Sequence, residues 1–170
     1  MIFVTVGTER FPFDRLIRAV DELQDALQGE PVFMQTGCST YTPSCAHQSF
    51  LSYEETRCKT REARIVIGHA GAGTLLTCAE LGKVPVMMAR KRSLGEHVDD
   101  HQQMLAERMA ERGSILLASN PEDIRTCVLR YDEQLKSRRR LCAAEPPLSR
   151  HLREMLSEIS KSADSARSSI

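Results

Sequence analysis

Residues 64–103 read RIVIGHAGAGTLLTCAELGKVPVMMARKRSLGEHVDDHQQ, and the division of this stretch into elements decides the fold. Residues 64–67 form a short, β-branched apolar run of the kind seen in a strand buried on both faces. Gly68, Gly71 and Gly73, with His69, Ala70 and Ala72 between them, are small enough to turn the chain sharply. Residues 74–81 then read as a helix. Free backbone N–H groups at such a helix start, together with the positive end of its dipole, suit a phosphate or diphosphate. The spacing is neither the G-x-G-x-x-G of dinucleotide folds nor a Walker loop, which requires a Lys-Ser/Thr pair. A turn that only lets strand and helix pack closely would also use these glycines.

The second half of the stretch carries polar chemistry. Residues 85–89 give another strand signal, and Glu96, Asp99, Asp100, His101 and Gln102 follow it. In an open parallel sheet, loops at the carboxyl ends of neighbouring strands share one crevice, so a single pocket is expected to draw on both halves. The basic run Arg90-Lys91-Arg92 reads either as a solvated loop or as attraction for a diphosphate or anionic lipid headgroups.

Working outward, residues 1–6 form a first strand that ends at Gly7-Thr8. A helix begins near Asp14, with Leu16, Ile17, Val20, Leu23 and Leu27 on one face and Gly29 as its stop. Residues 31–35 are a second strand, and a Ser/Thr/Pro-rich loop runs from Thr36 to about His47; His47 itself, a lone histidine in a polar loop, is given no role. Residues 50–53 are expected as a short extra strand and 54–62 as a charged helix. After the 85–89 strand come a helix over 97–113, a last strand over 115–118, and a helix from Asn120-Pro121 to about Leu135. The basic run 136–140 and a break at Pro146-Pro147 precede a striped helix (Leu148, Leu152, Met155, Leu156, Ile159) and a Ser-rich tail. The expected fold is one α/β domain over 1–145, with a mainly parallel sheet and helices on both faces, and a docking element over 146–170.

Composition removes several classes of function. Lys plus Arg and Asp plus Glu number 23 each and Trp is absent, so neither a basic field nor a stacking platform recruits nucleic acid. Cysteines 38, 45, 58, 78, 127 and 142 show no C-x-x-C or Cys/His ligand spacing, and they read as reduced thiols of a cytosolic chain without a signal peptide. No aspartate pair for a divalent metal is evident. The apolar runs fall well short of the ~20 residues that span a bilayer, so any membrane contact is peripheral or borrowed.

HAGAGT, the LGK-x-P strand entry, SLGEHVDDHQ and the N-terminal VTVGT and FPFDRLIRAVDEL together resemble the C-terminal domain of family 28 glycosyltransferases. The likeness is to its stand-alone, PssE-type form in bacterial exopolysaccharide synthesis, related to the second half of MurG, and it covers about two-thirds of the chain. It implies the Rossmann-like C-terminal half of a GT-B enzyme that binds a UDP-sugar with no cofactor and no metal. Carried over by position, the donor site would comprise Thr8, His69, Gly71, Ala72, Gly73, Thr74, Thr77, Glu96, Asp100, His101 and Gln102. The glycine turn would take the diphosphate, and His101 and Gln102 the sugar. Many relatives carry, where Thr77 stands, a glutamate that holds both ribose hydroxyls; a threonine offers one such bond, and Glu80 reads as surface or as a substitute contact. The resemblance further implies an inverting transfer to a polyprenyl-diphosphate-linked sugar acceptor at the cytoplasmic face of the inner membrane. The general base is not identified in this chain and would come from a separate, membrane-anchored acceptor-binding subunit. The alternative is a non-catalytic nucleotide-sugar-binding regulatory module.

Overall fold

The structure, a computed structural model, describes residues 1–141, with side chains through residue 137. The expected Pro146-Pro147 break, the striped helix and the Ser-rich tail lie outside the described residues. In chain order the elements are β1 (Ile2–Thr5), α1 (Asp14–Asp21), a 3-10 turn (Gln24–Leu27), β2 (Val32–Gln35), β3 (Ala46–Gln48), α2 (Tyr53–Glu62) and β4 (Ile65–Gly68). There follow α3 (Ala72–Glu80), β5 (Val86–Met87), a 3-10 turn (Arg92–Leu94), α4 (His101–Glu111), β6 (Leu116–Leu117), α5 (Pro121–Leu129) and α6 (Tyr131–Leu141).

All strand pairings are parallel, in the order β3-β2-β1-β4-β5-β6. The chain winds outward from β1 through β2 to β3, then returns to the other side of β1 for β4. That reversal is the switch point where a doubly wound sheet opens a crevice. In register, Thr5 at the end of β1 faces Gln35 of β2 and Gly68 of β4, which brings three strand ends together beneath it.

Alternation along the buried strands builds two cores. Ile2, Val4, Met34, Ile65, Ile67 and Val86 join Leu16, Ile17 and Val20 of α1 and Ile124 and Val128 of α5 on one face. On the other face Phe3 and Val66 meet Cys78 of α3, while Met87 joins Leu75 of α3 and Leu105, Ala106 and Met109 of α4. The single α/β sheet with helices on both faces is therefore as expected.

Several boundaries differ from the sequence reading. The amphipathic run that starts at Asp14 leaves the α-helix after Asp21 and finishes as the 3-10 turn, with Leu23 and Leu27 still buried. Residues 50–52 are not a strand. The strand is β3, all of it exposed at the sheet edge, and Ser52 instead caps α2 in a reciprocal box with Glu55. β5 and β6 pair over only two residues each, and α4 starts at His101 rather than 97. Asn120 accepts from the Asp123 N–H and starts α5 with Pro121 at the first turn; a break at Arg130 separates α5 from α6.

Candidate functional site

A cleft of about 620 Å³ opens above the joined strand ends, against the start of α3. Thr5, Gly7, Thr8 and Glu9 line it from β1, Gln35 from β2, and residues 69–74 with Thr77 from the turn and α3. Leu51, Tyr53 and Thr56 form one wall at α2, and His101, Gln102 and Leu105 form the opposite wall at α4.

The turn is built around an imidazole. A Cβ on Gly7 would stand 2.7 Å from His69 Cε1, and one on Gly71 2.2 Å from His69 Nε2, so both positions must be glycine for the ring to sit between them. Ala70 takes a left-handed φ of 60°, uncommon for a residue with a side chain, and it carries the chain from the end of β4 into the helix start. Gly71 is the N-cap and offers no side chain to the first helical N–H groups, which leaves them for a ligand. A Cβ at Gly73 would meet no atom outside its own helix within 4 Å, because that face is open cleft. His69 is buried, with Nδ1 3.4 Å from the Thr5 carbonyl, and burial, reinforced by the charge of Arg90, pushes its pKa down to about 4. It is therefore a neutral ring at neutral pH and gives the cleft no cation.

Thr77 Oγ1 donates to the Gly73 carbonyl at 2.9 Å, so toward a ligand it can only accept. Gln35 is the clamp of the cleft floor. Its Oε1 accepts from Thr5 Oγ1 at 2.7 Å and from the Gly7 N–H at 3.0 Å, while its Nε2 donates to the Gly7 and Ser49 carbonyls at 2.9 and 2.8 Å. Gln35 was not among the expected donor-site residues, although the family resemblance turns the Gln35-Thr36-Gly37 loop towards the cleft. Leu51, Tyr53 and Thr56 were missed too, because residues 50–53 were read as a strand and 54–62 only as a charged helix. Gln102 lines the α4 wall, with its Oε1 buried and without a hydrogen-bond partner.

Of the eleven residues expected at a donor site, Thr8, His69, Gly71, Ala72, Gly73, Thr74, Thr77, His101 and Gln102 line the cleft, and Glu96 and Asp100 do not. Glu96 is buried, held by Arg15 Nε and Nη2 at 2.9 and 2.7 Å and by the Lys91 N–H at 2.9 Å. Asp100 is exposed and accepts the Arg92 N–H at 3.0 Å. Glu80 is exposed on α3 outside the cleft lining.

The basic run is also reinterpreted. Arg90 is fully buried, with Nη2 donating to the Val6 carbonyl at 2.8 Å and Nη1 to those of Phe11, Pro12 and Glu96 at 2.7, 3.3 and 3.2 Å. It is neither a solvated loop residue nor a phosphate contact. Its role is to tie the loop after β1 to the segment before α4, two stretches that each lead to a cleft wall. Arg92 is exposed and lies outside the lining.

A parallel sheet of this order, with an uncapped helix N-terminus at its switch point, defines a Rossmann-like domain. The profile of the glycosyltransferase family 28 C-terminal domain matches residues 1–141, and the chain belongs to that family. It is 31% identical over 125 residues to the human UDP-N-acetylglucosamine transferase subunit ALG13, an alignment covering 67% of this chain and 10% of that protein. Among solved structures, the glycotransferase of kitacinnamycin superposes with a TM-score of 0.58 at 16% identity, over 92% of this chain and 42% of that one. Acinetobacter baumannii MurG gives 0.50 at 21% identity, over 91% and 49%. The calicheamicin glycosyltransferase CalG4 gives 0.51 at 18%, over 98% and 41%. The fold is thus that of the C-terminal Rossmann-like domain of GT-B glycosyltransferases, and the chain spans under half the length of these structures and about a tenth of the curated relative. Among the described residues no helix is long and apolar enough to cross a membrane.

Proposed function

We propose that this chain is the donor-binding subunit of a two-component inverting glycosyltransferase, PssE-like, that moves a sugar from a UDP-sugar to a polyprenyl-diphosphate-linked acceptor in exopolysaccharide or capsule synthesis. The observation that carries the reading is the uncapped start of α3, facing the cleft with no side chain of its own over the Gly71 cap. A diphosphate seated there meets the N–H groups of residues 71–74, which are fixed before the reaction. As the glycosidic bond breaks and charge grows on the leaving UDP, these groups stabilise it without reorganising. Neutral His69 shapes the seat and adds no charge.

The two walls divide the rest of the donor. The apolar Leu51 and Tyr53 side suits the uracil, and the polar His101 and Gln102 side suits the sugar hydroxyls, with Thr77 accepting from the ribose between them. The name of the human relative, a subunit of a UDP-N-acetylglucosamine transferase, supports both the donor class and a partnered enzyme. A membrane-anchored subunit would close the cleft, bring the lipid-linked acceptor and supply the base that takes its hydroxyl proton. The chain would then work in the cytoplasm, peripheral to the inner membrane through that partner.

The test is a panel of UDP-sugars assayed with membranes carrying lipid-linked acceptor, with and without the acceptor-binding subunit. Transfer by the pair from one donor, and none by either component alone, is the expected result. Donor binding without turnover in any combination would replace this reading with a nucleotide-sugar-binding regulatory module.

A further inference from the structure

Arg90 carries a charge that no carboxylate among the described residues balances by contact. It is fully buried, and the four oxygens that its Nη1 and Nη2 atoms reach are backbone carbonyls, those of Val6, Phe11, Pro12 and Glu96. Its Nε is buried with no acceptor, and the guanidinium lies 4.8 Å from the centre of the Phe13 ring. The carboxylates that bear on it do so from a distance. Glu96 is bound to Arg15 and to the Lys91 N–H, and Glu9 is exposed in the lining of the cleft. Burial pulls the Arg90 pKa down and the charges of Glu96 and Glu9 push it back only in part, yet a guanidinium stays charged at neutral pH.

Taking a charge out of water is costly unless it is paired, and carbonyl dipoles compensate it only in part. The place of this charge in the fold gives the missing partner a location. Val6, whose carbonyl accepts from Nη2 at 2.8 Å, leads into Gly7, and Gly7 lines the cleft and abuts the His69 ring. After burial itself, the charge of Arg90 is the next cause of the low His69 pKa, so its field reaches a side chain of the cleft lining. What joins the guanidinium to the cleft is loop backbone and a neutral imidazole, and such material weakens a field less than water does.

We propose that Arg90 is the counter-charge of the diphosphate: a buried cation behind the cleft floor that raises the affinity for an anionic ligand through its field, without touching it. The proposal rests on reading the cleft as a UDP site, and its test separates the two. Calorimetry of the full-length protein at neutral pH measures UDP directly and uridine, which shares base and ribose but has no charge, by competition with it. The readout is the ratio of the two affinities, which a merely structural role does not move. Arg90→Gln keeps donors for the carbonyls and drops the charge, so its ratio should fall at least about ten-fold, nearly all of it in UDP. Arg90→Lys keeps the charge with fewer donors, so its ratio should stay within about three-fold of wild type even though it unfolds in less denaturant. An unchanged ratio in Arg90→Gln, or equal losses of UDP and uridine, overturns the proposal. If Arg90→Gln does not fold, Arg90→Lys decides: a preserved ratio at lowered stability supports the field, and a ratio lost about ten-fold overturns it. A wild type that binds neither ligand overturns the cleft reading and this proposal together, whereas UDP binding with a ratio indifferent to Arg90 overturns this proposal alone.

Discussion

The imidazole of His69, wedged between Gly7 and Gly71, separates two kinds of glycine in the same turn. Gly71→Ala would place a methyl 2.2 Å from Nε2, so it should displace the ring and lower both stability and UDP binding. A Cβ at Gly73 meets no atom outside its own helix within 4 Å, so Gly73→Val should fold with an unfolding midpoint close to wild type while its branched side chain fills the diphosphate seat. Parallel thermal unfolding and UDP calorimetry would distinguish them, and wild-type UDP affinity in Gly73→Val would remove the turn from the site. His69 also sets a pH dependence. Its folded pKa of about 4 lies below the ordinary 6.5, so the unfolded chain takes up the proton first and stability falls as pH drops from about 6.5 toward 4. At about 1.4 kcal/mol per pH unit the loss reaches at most about 3 kcal/mol, and urea unfolding across that range should show it flattened in His69→Gln.

At the level of elements, the walls of the cleft are held in place by Arg90. Two of its four carbonyl partners, those of Val6 and Glu96, are buried with it, and removing the guanidinium leaves them unsatisfied, so Arg90→Ala should cost about 3 kcal/mol or more in denaturant unfolding. A loss under about 1 kcal/mol would show that water replaces it easily. This residue also marks where the sequence stopped being readable. Residues 90–92 look alike along the chain, and the acceptors that bury the first of them, Val6 and Phe11, are 84 and 79 residues away. Glu96 misled for the same reason, its partner Arg15 being 81 residues distant. Signals that were local did carry through: the strand-turn-helix at β4 and α3, the Asn120-Pro121 start of α5, and the apolar stripe of α1. The helix expected from 97 begins at His101 because His97, Asp99 and Asp100 spend their side chains on a bend instead of a helical turn.

Across the whole molecule, strand order was not readable, since short apolar parallel strands of similar composition carry no mark of their neighbours. The family match ends where the described residues end, at residue 141. A chain cut after Glu145 is therefore expected to keep its fold and its UDP affinity while losing co-purification with the acceptor-binding subunit; an unfolded product would place 146–170 within the domain's own core. One further property follows from the lining of the cleft, in which Glu9 and His101 are present but no Lys or Arg among the described residues. An anion held by backbone N–H groups and a helix dipole, with a neighbouring carboxylate whose repulsion is itself screened by salt, releases few counterions on leaving. UDP affinity should change by no more than about two-fold between roughly 50 and 500 mM sodium chloride. On a UDP-bearing resin such a protein would stay bound through a salt gradient and come off with free UDP, and elution by salt alone would betray cationic side chains that the cleft does not contain.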